Sequence, residues 1–456
     1  MLAALCLLSG LVNLSGCVPA RWPSGDPKSL TLLNDSPLNT LLLESRNWSP
    51  RFSRTAASRH IAVLGVIHPG SGAEALTRRA ARDHLDGVVL DGSFAQPLRN
   101  AVRAEATRQK LAVIELPPRQ EISLDAREPV AGTSDALWPG IEIEHGGKVS
   151  TGPSSAPWID TNTGFLRFLS AATSAPVWIG QRPPPGNVFP VQRYLLAVAD
   201  AAIANARWIV ALDASLEQSL LARQPQALEA WRQINGYLRY FEDHPEWRAA
   251  NQFGQFAVVQ DIASGGLLSA GLLDMLSVLH KTARPVPARN LDDGSLRNTS
   301  VVLNATGWLN PSQKESFARF TQTGGKLFNP PSGWSFPAVS AHQITPTPKQ
   351  VDAIQPLWEV TYDATLRKNF GARTFNTSTI IFTIRAAADG KQLVLHLLNY
   401  ADYVSEDIAV QVTGTWKKAT LYCPGEAPRN LPVYPVQDGT GMDVNKIGIL
   451  GTLLIE

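Results

Sequence analysis

Four short apolar runs end alike: VVLD at Asp91, AVIE at Glu115, PWID at Asp160 and VALD at Asp213. A lone carboxyl at the end of such a run can be kept protonated by apolar neighbours or ionised by hydrogen-bond donors, so a set of them offers both halves of acid–base chemistry. Glu115, flanked by Ile114, Leu116, Pro117 and Pro118, is expected to be the acid. Asp160 is expected to be its ionised partner, since Thr161, Asn162 and Thr163 can donate to it. Asp91 and Asp213 are further candidates, each with a structural alternative. Asp213 precedes ASLEQSLLA and reads equally as a helix N-cap with Glu217 in the first turn. Asp91 precedes Gly92 and Ser93 and reads as a turn residue. Glu44, Gln181 and Arg182 are the other polar groups at run ends, and Arg182 suits either an acidic ligand or one of these carboxylates.

The elements that must position these groups alternate. Apolar runs at 38–45, 60–69, 86–94, 110–118, 138–144, 157–164, 176–183 and 207–215 are separated by helical patterns such as GAEALTRRAARDHL and VQRYLLAVADAAIANA. That is the rhythm of βα units, and eight of them predict a (β/α)8-type barrel over 38–250. In such a barrel the reacting groups stand at the C-terminal ends of strands, where these carboxylates fall. A helix with Leu228, Trp231, Ile234, Leu238 and Phe241 on one face closes this part.

Runs at 255–262, 284–291, 299–306 and 324–330, with helices near 267–280 and 311–323, predict a second, flavodoxin-like α/β module over 254–335. From 345 to 456 the period shortens, and TIIFTIRA, KQLVLHLLNYAD, IAVQVTG and GILGTLLIE predict an antiparallel β-sandwich. At the other end, MLAALCLLSGLVNLSGC is apolar and closes on Leu14-Ser15-Gly16-Cys17, which resembles a bacterial lipobox. Residues 1–17 then read as a signal segment, Cys17 as the lipidated residue, and 18–37 as a tether. The expectation is an exported, lipid-anchored envelope protein at the outer membrane or periplasmic face. The remaining cysteine outside the leader, Cys423, has no partner for a disulfide framework.

The stretch VVLNATGWLNPSQKESFARFTQTGGKLF resembles the glutamine-amidotransferase-like middle domain of family-42 β-galactosidases, whose order of barrel, middle module and sandwich is also the order here. No cysteine lies between 254 and 335, so the resemblance implies a structural role for that module, such as homo-oligomer formation. It also implies a carbohydrate substrate cleaved between two carboxyl groups. The chain departs from the family pattern, because Glu115 follows Ile114 rather than an asparagine, and Gln181 and Arg182 stand where the second glutamate belongs. Glycoside hydrolysis is therefore weighed against a glycan-binding protein that keeps the fold without the chemistry. Trp48, Trp138 and Trp158, with Asn162, Gln181 and Arg182, are the expected sugar contacts.

Composition narrows the field. A net charge of +2 with 18% charged residues gives no electrostatic footprint for nucleic acid. The scattered histidines form no metal-ligand spacing, and neither GxGxxG nor GxxxxGK[ST] opens a helix, so no metal or nucleotide cofactor is expected.

Overall fold

The computed structural model describes residues 16–125, 128–141, 159–261, 268–335, 337–340, 343–344, 346–365, 368 and 370–456. The chain divides into two compact units that do not follow chain order. One comprises Met1–Ala136, Thr173–Tyr194 and Ala206–Glu242, and the other Leu137–Ala172, Leu195–Asn205 and Asp243–Glu456.

The first unit holds parallel strands β1 (Pro19–Trp22), β2 (Thr40–Glu44), β3 (Ala62–Ile67), β4 (Gly87–Asp91), β5 (Ala112–Leu116), β6 (Ala131–Thr133), β7 (Val177–Ile179) and β8 (Ala206–Trp208). In the sequence they alternate with helices α1 (Pro50–Ala57), α2 (Ala73–Arg82), α3 (Gln96–Gln109), α4 (Thr163–Ala172), α5 (Val191–Ile203), α6 (Ala214–Leu221) and α7 (Pro225–Glu242). Strands β1 to β5 form one sheet in that order, and β6 to β8 another. Just past β8, Val210 pairs in parallel with Ala20 of β1, joining the two sets. At the other flank, the Thr133 hydroxyl donates to the Pro117 carbonyl just past β5 at 2.6 Å.

Strand residues point alternately to opposite faces. Leu42, Leu64, Val66, Val89, Ile114 and Leu116 share one face and pack with Trp178 and Ile209 into a buried core. The opposite face meets the helices, and Gly65 shows why it is glycine: a Cβ there would sit 2.4 Å from the Trp48 ring. Trp48 is 5% exposed, donates its indole N–H to Leu43, and carries the Arg79 guanidinium over its ring. It is a packing residue rather than an open sugar platform.

The stretch expected as a tether is built into this unit. Residues 19–22 are β1, and a 3-10 helix at Pro27–Leu33 buries Leu30, Leu32 and Leu33. Trp22 donates to Ser29, and Trp231 of α7 donates to the Leu32 carbonyl. Prolines and serines that read as linker serve here as helix start and side-chain acceptor. Cys17, the expected lipidation site, is 5% exposed within the strand-facing core. An acyl chain on that sulfur requires residue 17 to leave this position. Of the runs expected as strands at 138–144 and 157–164, residues 142–144 and 157–158 lie outside the described residues, and Thr163 and Gly164 open α4 instead of extending a strand. Within these runs, Gly140 and Asp160 form an isolated antiparallel bridge.

In the second unit, α8 (Pro245–Ala249) and β9 (Asn251–Gln252) precede a parallel sheet of β10 (Phe256–Gln260), β11 (Arg284–Pro287), β12 (Val301–Ala305) and β13 (Lys326–Phe328), in the order β11-β10-β12-β13. Helices α9 (Leu268–Val278) and α10 (Pro311–Gln322) connect these strands, and α10 opens on a capping box between Asn310 and Gln313. A helix absent from the sequence reading, α11 (Pro348–Thr365), follows, so the sandwich begins at residue 372 rather than 345.

Its strands are β14 (Ala372–Phe375), β15 (Ile380–Ala386), β16 (Leu393–Asn399), β17 (Ser405–Thr413), β18 (Ala419–Tyr422), β19 (Arg429–Leu431), β20 (Val433–Val436), β21 (Gly439–Ile447) and β22 (Leu450–Ile455). They form two antiparallel sheets, β14-β17-β21-β20 and β19-β18-β22-β16-β15-β9, around a core that includes Leu395, Val410, Met442 and Leu453.

Candidate active site

The alternation that builds the first unit's core also carries polar groups to its C-terminal end. Leu42 is followed two residues later by Glu44, Val66 by His68 and Val89 by Asp91, all on the core-facing side. Arg21 continues the same face four residues after Cys17. Gly92 turns the chain away directly after Asp91 with φ of +112°, a conformation that side chains rarely adopt.

These groups bond to one another. Asp91 accepts from Arg21 Nη2 at 2.9 Å and from Ser134 Oγ at 2.7 Å, and its side chain is 9% exposed. His68 stands between two carboxylates, with Nε2 3.1 Å from Glu44 and Nδ1 3.8 Å from Asp91. Arg182, just past β7, donates to the other oxygen of Glu44. The ends of β1, β2, β3, β4, β6 and β7 thus feed one network. Glu217, in the first turn of α6 after β8, lies within electrostatic reach of Arg182 and Arg46.

The two glutamates are driven apart. Burial pushes Glu44 upward, but the His68 hydrogen bond and the Arg182 charge outweigh it and hold the carboxyl at about 2. Burial lifts Glu217 to about 7 against the pull of Arg182 and Arg46, helped by the negative charge of Asp213. His68 is raised, chiefly by its hydrogen bond to Glu44. Near pH 6, by these values, Glu44 is an ionised carboxylate and Glu217 largely a carboxylic acid.

The other expected site residues are placed differently. Glu115 lies between Ile114 and Leu116, both in the core, so it faces the helix side. There it accepts from Arg103 of α3 at 2.8 Å, with Arg99 at 3.5 Å. Its apolar sequence neighbours are not its spatial neighbours, and it is no acid at the strand ends. Asp213 is the N-cap of α6, accepting from Leu216 N at 3.0 Å and from the Tyr194 hydroxyl at 2.7 Å. It is 3% exposed, so capping is its role.

Asp160 belongs to the second unit, where it is half-buried and its backbone pairs with Gly140. The donors expected to serve it serve other carboxylates. Thr161 Oγ1 donates to Asp200 at 2.7 Å, Asn162 donates to Asp200 through both backbone and side chain, and Thr163 Oγ1 donates to Asp274 at 3.3 Å. Asn162 also brackets the Leu137 backbone and is fully buried, so it is a structural tie and not a sugar contact.

Tyr400 completes this cluster by donating to Asp200 at 2.6 Å. Tyr400→Phe is expected to destabilise the protein by about 1–3 kcal/mol, since a buried carboxylate loses a donor. Urea denaturation checks this, and an unchanged midpoint counts against it. Trp138 is half-buried in the second unit, Gln181 is half-buried beside Arg182, and Trp158 lies outside the described residues.

Neither a family model nor a curated protein matches the sequence. Solved structures do. The α-L-fucosidase isoenzyme 2 of Paenibacillus thiaminolyticus is similar over 97% of this chain and 99% of its own, at 10% identity and a TM-score of 0.60. The fold is similar to that of this fucosidase. A rhamnosidase from Novosphingobium sp. PP1Y matches 89% of this chain at 10% identity and a TM-score of 0.46. An exo-carrageenase from Bacteroides ovatus matches 84% at 9% and 0.44. This chain spans 40% and 56% of those two proteins.

Arg21, His68, Ser134 and Glu217 were not singled out as site residues from the sequence. A usable signal existed for His68, because Leu64, Val66 and His68 fall on one face at period two. For Arg21 none did, since β1 is only four residues long.

Proposed function

We propose that the first unit is a (β/α)8-type barrel whose mouth hydrolyses a glycosidic bond, with Glu217 as the general acid and Glu44 as its ionised partner. The observation that carries the reading is that Arg182 bonds Glu44 and lies within electrostatic reach of Glu217, in surroundings that hold one carboxyl at about 2 and the other at about 7. Opposed environments of this kind mark acid and base assignments. Glu217 hands its proton to the leaving glycosidic oxygen. Glu44 attacks the anomeric carbon or deprotonates the water that does. Asp91 is too enclosed to meet substrate and acts by fixing Arg21, Ser134 and His68 around Glu44. The likeness to a fucosidase supports carbohydrate chemistry at the level of fold alone.

A glycan-binding protein without catalysis is the second reading, favoured by one observation: both oxygens of Glu44 are already engaged, by His68 and Arg182.

A panel of chromogenic glycosides and oligosaccharides separates the two. Glu44→Gln is expected to lower kcat/KM on the cleaved substrate by about 10²–10⁴-fold. Glu115→Gln, on the helix face, is expected to stay within a few-fold of the parent protein. Turnover unaffected by Glu44→Gln rejects the assignment, and glycan binding without turnover of any substrate selects the binding reading.

A further inference from the structure

Two guanidinium groups at the strand ends, Arg46 and Arg182, are exposed. Asp91 is matched by Arg21, and Glu44 is shared between Arg182 and His68. Arg46, in the 3-10 turn directly after β2, is exposed and makes no hydrogen bond or ion pair among the described residues, yet lies within electrostatic reach of Glu217. Arg21 also keeps Nη1 buried without an acceptor. Asp213 adds a further carboxylate beside Glu217, so the charge open to a ligand is that of the exposed Arg46 and Arg182 and not of the network as a whole.

Resting on the reading of this mouth as a glycan site, we propose that the glycan it takes is anionic, and that Arg46 together with Arg182 binds an acidic sugar residue beside the bond that is cleaved. A carboxylate or sulfate there accepts charge-assisted hydrogen bonds from planar guanidinium donors, which a neutral hydroxyl meets less well. The attraction is electrostatic at an open surface, so it weakens as salt rises.

The test measures binding, which needs no turnover. Calorimetry of the full chain compares hexuronate oligosaccharides, the same oligomers with carboxyls reduced to alcohols, and sulfated oligomers of a neutral hexose. The acidic oligomers are expected to bind at least about tenfold more tightly than the reduced ones at low salt, and the gap is expected to shrink at high salt. Arg46→Gln is expected to cut the ratio of acidic to neutral affinity about tenfold, the size of one charge-assisted contact.

A preference for the hexuronates alone assigns a carboxylate, and for the sulfated set alone a sulfate. Equal or tighter binding of the reduced oligomers overturns the proposal, as does an Arg46→Gln variant whose ratio is unchanged, or failure of every acidic oligomer to bind. Binding of acidic glycans without cleavage leaves this inference standing while removing hydrolysis. Cleavage restricted to neutral glycans does the reverse.

Discussion

Glu217→Gln is expected to lower kcat/KM about 10²–10⁴-fold in mildly acidic solution and to erase the decline expected of the parent protein above neutrality. The sign follows from the two glutamates. Under the proposed assignment, activity needs a proton on Glu217 and none on Glu44, so it is expected to hold between about 2 and about 7 and then fall as Glu217 ionises. Glutamine at 217 cannot supply the proton at any pH, so the residual rate loses its basic limb. Aryl glycosides with good leaving groups need little protonation and are expected to recover most of the loss. A basic limb that survives in Glu217→Gln assigns the proton elsewhere.

The same shift acts on stability. A carboxyl raised in the folded state stabilises fully below its unfolded value of 4.5, and that contribution disappears as pH climbs through about 7. Urea midpoints of the parent are therefore expected to fall over that window more than those of the variant.

Asp91→Asn tests the support beneath the site. Arg21 and Asp91 have side chains only 8% and 9% exposed, and their 2.9 Å contact is the ion pair that offsets the burial of both charges. Removing one partner leaves a guanidinium buried without its counter-charge, which costs about 3–5 kcal/mol. Denaturation is expected to show that loss, and catalysis to fall with it because Ser134 loses a charged acceptor and His68 a nearby negative charge. Replacing both residues of the pair by apolar ones of similar volume is expected to restore much of the stability and none of the activity. A loss below about 1 kcal/mol in Asp91→Asn marks the pair as solvated instead.

Much of the scaffold was legible from local pattern. The β2, β3, β4, β5, β7 and β8 strands, the parallel strands β10 to β13 and the antiparallel tail all correspond to runs whose period is set by backbone geometry. The short pieces were not legible. β1 and β6 span four and three residues, too few to establish a period, and their strand character comes from neighbours that pair with them.

For the site, the sequence by itself determined that single carboxylates close several apolar strands, and that Glu44, Asp91 and Arg182 stand at strand ends. What it could not determine is which way each end faces. A one-residue difference in register moves a side chain to the other face, so Asp91, two residues after the core residue Val89, enters the network, whereas Glu115, one residue after Ile114, meets α3. The proton affinities are likewise tertiary. Glu44 and Glu217 are the same chemical group, separated by what reaches them across the fold: His68 and Arg182 in one case, and burial in the other. No stretch of sequence around either glutamate contains that difference, because the groups that create it arrive from strands far away along the chain.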